Sequence, residues 1–151
     1  PVSYMDQSQL LSLFNSAELQ AFVTGFPVLM AHVGVTVVML MLGATLYAIL
    51  TPWKEISLIR NGNSAAAVAF GGVLAGLAIP LAASLSASNS IIEIVVWGMA
   101  TVIVQLLAFR LTDMILAGLP DRIRDGEISA AVLLVSAKLA VALILAAAVT
   151  V

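Results

Sequence analysis

One ammonium, one carboxamide and one hydroxyl stand out against long apolar runs: Lys138, Gln105 and Thr101. Lys138 lies in the middle of the last run, where a lone ammonium costs ~2.5–3.5 kcal/mol on insertion scales. Counting down each run puts mid-depth near Met39, Leu74, Ile103 and Lys138, with Gln105 and Thr101 within about a turn of it. Gln105 could offer its amide oxygen to the Lys138 ammonium and keep its NH2 for another acceptor. No acidic residue falls at that depth, because Glu93 opens the third run and Asp113 closes it. The count therefore argues against a buried ion pair within one chain. Three readings stay open. The Lys138 side chain snorkels along its own helix; it makes a structural hydrogen bond to Gln105 or to another subunit; or it lines an ion or solute pathway. A ring of ammoniums in an oligomer would favour anions.

Other chemistry is sparse. A Gly-rich phosphate loop with Lys-Ser/Thr, HExxH and GxSxG are all absent from the sequence, as is any cluster with metal-ligand spacing. There is no cysteine, which excludes disulfides and thiolate metal sites. We expect no catalytic, cofactor-binding or metal-binding residues and no enzymatic activity. His32 reads as a hydrogen-bonded helix-interface residue before it reads as a proton relay. Six basic residues and a net charge of −2 argue against a nucleic-acid partner.

The elements that must position these groups follow from composition. The chain of 151 residues is 62% hydrophobic and 9% charged, and its mean hydropathy is +1.16. That is too little polar surface for a water-soluble globule, so the solvent is largely lipid. Four runs, at about 28–50, 64–84, 91–117 and 128–151, each reach the ~20 residues a spanning helix needs. They lack the strict alternation of barrel strands. Residues 7–26 mix polar and apolar positions and read as a short interfacial helix, with capping-box spacing at Asn15 and Glu18 and a bend or restart at Pro27; the alternative is one long tilted helix running on into the first span. The expected division is an N-terminal interfacial segment, 1–26, and a four-helix transmembrane domain, 27–151. No cleavable signal peptide is expected, since the start lacks positive charge. Trp53 and Trp97 fit interfacial anchoring.

Lys54 and Arg60 separate the first two runs, and Arg110, Arg122 and Arg124 separate the last two. The positive-inside rule puts both basic loops in the cytoplasm and both termini outside. The same loops carry an internal repeat. IRNGNSAAAV at 59–68 resembles IRDGEISAAV at 123–132, an offset that makes each unit two spans and their inner loop, with halves of about 27–86 and 90–151. Two spans return the chain to its starting side, so the repeats are parallel-related about the membrane normal. The fold class is then an all-α membrane protein of four transmembrane helices, as two tandem parallel-related helical hairpins plus the short N-terminal helix. Within the repeated motif, Gly62 and Gly126 permit a left-handed turn, and Asn63 and Glu127 stand where a side-chain oxygen meets open helix N–H groups. Arg60 and Arg124 can reach lipid phosphates. The motif serves either as a turn and cap or as an anion or lipid site. In the second run, Gly72-x3-Gly76, followed by Pro80 and Ser84 at the same spacing, is a helix-packing face. Pro80 also frees a carbonyl near Gly76, which kinks the helix or offers an ion ligand.

Thr51-Pro52, Glu55, Leu58-Ile59-Arg60, Gly62-Asn63, Ala65-Ala66, Gly72, Gly76 and Ile79-Pro80-Leu81 resemble the second-span signature of the YjfL family. These are bacterial inner-membrane proteins that carry domain of unknown function 350. Trp97-Gly98 and Val104-Gln105-Leu106 resemble that family's third-span motif, and the likeness covers roughly residues 25–151. It implies a four-span inner-membrane protein with two related halves and transfers no activity. The C-terminal pattern departs from it: Lys138, Ala142, Leu145 and Ala148 stand where the family has Ser, Gly, Asn and Cys.

These readings together give a non-enzymatic oligomeric interaction or scaffold subunit of the inner membrane, packed through spans two and four. The alternative is an ion channel or small-solute transporter subunit with Lys138 and Gln105 near the pathway. Expected partners are the lipid bilayer, a second copy or another membrane protein, and a cytoplasmic protein at the charged 110–127 loop.

Overall fold

The computed structural model describes residues 4–52 and 54–151; the expected anchor Trp53 lies outside the described residues. Every regular element among them is an α-helix: α1 (Gln7–Phe14), α2 (Ala17–Leu50), α3 (Glu55–Arg60), α4 (Ser64–Ala87), α5 (Ile91–Ile115), α6 (Leu119–Arg124) and α7 (Ile128–Val149). Four stretches are long and apolar enough to cross a bilayer: Gln7–Leu50, Ser64–Ala87, Ile91–Ile115 and Ile128–Val149. The chain is an all-α membrane protein. It divides within α2 into two compact units, residues 1–34 and 35–151.

The first unit holds α1 and the start of α2. A capping box opens α1: Asp6 Oδ1 accepts from the Gln9 N–H at 2.8 Å, and Gln9 Oε1 accepts from the Asp6 N–H at 3.1 Å. The box expected at Asn15 and Glu18 does not form. Asn15 instead closes α1, its N–H donating to the Leu11 carbonyl at 3.0 Å, and the Ser16 hydroxyl accepts from Leu19 N–H at 3.3 Å. Nor does Pro27 restart the helix, because α2 runs through it unbroken. A proline removes one N–H from the ladder, and the rest of an apolar helix in lipid has no better partner than itself. His32 sits half-buried on α2.

In the second unit the two basic loops are not plain turns. Each contains a short helix, α3 or α6, which the sequence pattern hid because six residues carry no periodicity. Both end alike. Gly62 N–H donates to the Ile59 carbonyl at 3.0 Å and Asn63 N–H to the Leu58 carbonyl at 3.0 Å; Gly126 N–H donates to Ile123 at 2.9 Å and Glu127 N–H to Arg122 at 3.0 Å. This is the Schellman pairing, and it needs the left-handed φ of +87° at Gly62 and +89° at Gly126. The two copies differ at the next residue. Asn63 caps α4, accepting from the Ala66 N–H at 3.0 Å, while its Nδ2 donates to the carbonyls of Ile123 and Arg124 at 3.1 and 3.0 Å. Glu127 makes no side-chain cap, which corrects the expectation for it, and pairs with Arg122 at 2.5 Å. Arg124 pairs with Asp121 at 3.5 Å, and Arg60 lies exposed.

The core forms around α4, which packs most extensively on α7 and then on α5. Small residues set the distance. Ala65, Ala66 and Ala69 of α4 lie buried with Ala130, Ala131 and Leu134 of α7. Gly72 faces Val135, and Gly76 faces the ring of Phe109. Ser84 and Pro80 continue this buried face. The Gly72/Gly76 face is therefore consumed inside the chain, so it does not supply the subunit contact expected of span two. From α2, Met39, Gly43, Ala44 and Tyr47 are buried against α4 and α5.

Candidate functional site

Four buried ionisable or hydrogen-bonding side chains from four helices meet at the end of the bundle that carries α3 and α6. Lys138 of α7 is 1% exposed, and its Nζ lies 3.0 Å from Asp113 Oδ1 of α5. The contact is an ion pair without aligned hydrogen-bond geometry; the directed bond from Nζ goes to the Tyr47 hydroxyl of α2, at 3.0 Å. That hydroxyl in turn donates to Glu55 Oε1 of α3 at 3.3 Å. Phe109 closes the other side, its ring centroid 5.3 Å from Nζ and set edge-on to Tyr47. An aromatic face there offers the ammonium a weak cation–π contact without water.

This overturns the expectation that Lys138 has no acidic partner in its own chain. Depth counting locates Cα atoms, but a long side chain on a helix slants toward the N-terminus. The N-terminus of α7 faces the same end of the bundle as the C-terminus of α5, so the ammonium descends to meet Asp113. The second signal is on α5 itself. Thr101, Gln105, Phe109 and Asp113 recur every four residues and are all buried, one face of one helix. That spacing, with a Lys on the facing span, is visible in the sequence.

The local backbone explains why Tyr47 and Glu55 join them. Thr51 N–H and Thr51 Oγ1 both donate to the Tyr47 carbonyl, at 2.9 and 2.5 Å, which closes α2 one turn after Tyr47. Pro52 stops the helix from continuing. Lys54, at a left-handed φ of +45°, then turns the chain so that Glu55 opens α3 beneath the Tyr47 hydroxyl. Neither residue stands out by type and spacing, since a Tyr in a last turn and a Glu in a loop look ordinary alone.

Gln105 is not a partner of Lys138. Its Nε2 donates to the Gly76 carbonyl at 3.0 Å. Pro80, four residues after Gly76, has no N–H for that carbonyl, so a side chain from α5 supplies the missing donor. Thr101 Oγ1 donates to the Gly98 carbonyl of its own helix at 2.8 Å. Gln105 Oε1 and Ser84 Oγ are buried without a hydrogen-bond partner. Gln105→Leu should therefore destabilise the fold by ~1–2 kcal/mol by orphaning the Gly76 carbonyl. In a Pro80→Ala background, where the backbone regains its donor, the same substitution should cost clearly less. Equal costs in the two backgrounds, read by unfolding in mixed micelles, would refute this role.

Among the described residues there is no group of three His, Asp or Glu placed to hold a metal. Next to the ion pair lies a groove of about 360 Å³ lined by Tyr47, Thr51, Arg110, Asp113 and apolar side chains of α2 and α5.

The family model described as Domain of Unknown Function (DUF350) matches residues 21–149. "UPF0719 inner membrane protein YjfL" of Escherichia coli (strain K12) is 33% identical over 110 residues, covering 73% of this chain and 83% of that protein. "UPF0719 transmembrane protein YshE" of Bacillus subtilis (strain 168) is 32% identical over 79 residues, 52% of this chain and 59% of that protein. No solved structure matches the chain. The matched span contains residues 21–50 of the first membrane-crossing segment, the other three segments whole and every residue of the buried cluster, and the chain belongs to the DUF350 family of integral inner-membrane proteins.

Proposed function

We propose that this protein is a non-enzymatic, ion-handling subunit of the inner membrane, a channel or small-solute transporter component, with its basic loops in the cytoplasm and both termini outside. The supporting observation is the run of exchangeable protons from Lys138 Nζ through the Tyr47 hydroxyl to Glu55, beside Asp113. Ionisable groups inside a membrane bundle are costly and mark pathways and relays. Two carboxylates share one ammonium and one phenol, so the cluster can take up or release a proton while the Lys138–Asp113 pair persists. Along α5, Gln105 and Thr101 continue the buried polar face beyond Phe109.

Flux from proteoliposomes under a pH or salt gradient tests this. The wild type should conduct, Lys138→Met should alter the flux, and Tyr47→Phe should lower it at least tenfold while leaving the ion pair in place. Absence of conductance in every form would sink the reading.

A second reading is an oligomeric scaffold. It is favoured by an outward small-residue step on α4, Gly71-x3-Ala75, where a Cβ at Gly71 would meet nothing within 4 Å. A close helix contact from another copy would use such a step. A cytoplasmic partner would dock on the 110–127 segment. Native mass spectrometry in nanodiscs giving only monomer would count against the scaffold.

A further inference from the structure

The groove between α2 and α5 is open beside the buried cluster. Leu50, Ile103, Leu106 and Leu107 give it an apolar wall, while Arg110 and Thr51 stand at the loop end. Ile103 and Arg110 are two turns apart on α5, so the lining changes from apolar to basic along the direction of a lipid molecule lying in the inner leaflet. Arg110 makes no ion pair within 4 Å among the described residues. Its near neighbour Asp113 is committed to Lys138 at 3.0 Å. The guanidinium is thus an exposed cation in the second-last turn of α5 without a fixed counter-ion. Planar guanidinium groups bind phosphate in pairs of parallel hydrogen bonds.

We infer that this groove binds an anionic phospholipid of the inner leaflet, its phosphate on Arg110 and an acyl chain along Ile103, Leu106 and Leu107. Tyr47 and Asp113 belong to the groove wall and to the relay alike. The bound lipid would shield the ion pair from water and set the charge beside it.

Native mass spectrometry of the full chain, released from nanodiscs of phosphatidylglycerol or phosphatidylcholine, tests the inference. The wild type should retain phosphatidylglycerol preferentially. Arg110→Gln should reduce that preference about fivefold, the equivalent of the ~1 kcal/mol contributed by one basic residue near an anionic surface. Arg122→Gln, at a guanidinium already paired with Glu127, should leave it unchanged. Leu107→Trp, which fills the apolar wall, should lower retention of both lipids, and inorganic phosphate should fail to compete. Equal retention of the two lipids, an unchanged preference in Arg110→Gln, or competition by inorganic phosphate would overturn it. The chain has no cysteine of its own, so a Leu107→Cys variant is clean. Its oxidation to a linked dimer in membranes would seat a second copy in the groove and equally refute the lipid.

Discussion

Lys138→Met alone should destabilise the folded protein by ~3–5 kcal/mol, whereas Lys138→Met combined with Asp113→Leu should cost far less than the sum of the two single changes. Both side chains are almost wholly buried, and their charged atoms are 3.0 Å apart. Removing one leaves the other as an uncompensated charge in a medium that cannot solvate it. Removing both leaves two apolar side chains of similar bulk. Tyr47 still has Glu55 as its acceptor, so it loses a donor and is not orphaned. Unfolding titrations in mixed micelles give all three differences. Additive losses would show that the pair contributes no coupling, and the ionic reading of the cluster would fall with it.

Gly72→Ala should cost close to the upper end of the ~1–3 kcal/mol typical of overpacked cores. A Cβ built there lies 2.5 and 2.8 Å from the two γ-methyls of Val135 and 3.0 Å from its Cβ. A valine on a helix has one strongly preferred rotamer, so it cannot turn aside. The helices α4 and α7 must then separate along their most extensive contact. Val135→Ala in the same chain should restore most of the loss. Gly98→Ala is the contrasting control. Its new methyl would meet the Met39 Cε at the end of a flexible chain, and thioether side chains repack readily. A Gly98→Ala loss as large as that of Gly72→Ala would contradict this account.

The four spans and the small-residue face of α4 are legible from run length and four-residue spacing, because in lipid those two properties leave little choice of structure. The duplicated turn is legible for the same kind of reason: a glycine in that place has one use. What could not be read is where charged atoms go. Counting along the run gives the depth of the Lys138 backbone, and the slant of its side chain moves the ammonium toward Asp113. Gln105 shows the opposite error. It was at the right depth for Lys138, but a proline on the neighbouring helix had already created a carbonyl in need of its amide. Glu55 and Tyr47 meet only because Thr51, Pro52 and Lys54 reverse the chain between them. A tertiary meeting of that kind has no periodic signature.

The Asn63 side chain makes the two similar motifs unequal partners. A carboxamide reaches from the first copy of the motif into the second and donates to the Ile123 and Arg124 carbonyls. The corresponding Glu127 carboxylate could only accept, and it pairs with Arg122 instead. An asparagine at 127 would carry the donor that the carboxylate lacks. Divergence at this single pair of positions has made the clasp one-directional. The tie runs from the first motif to the second and not back.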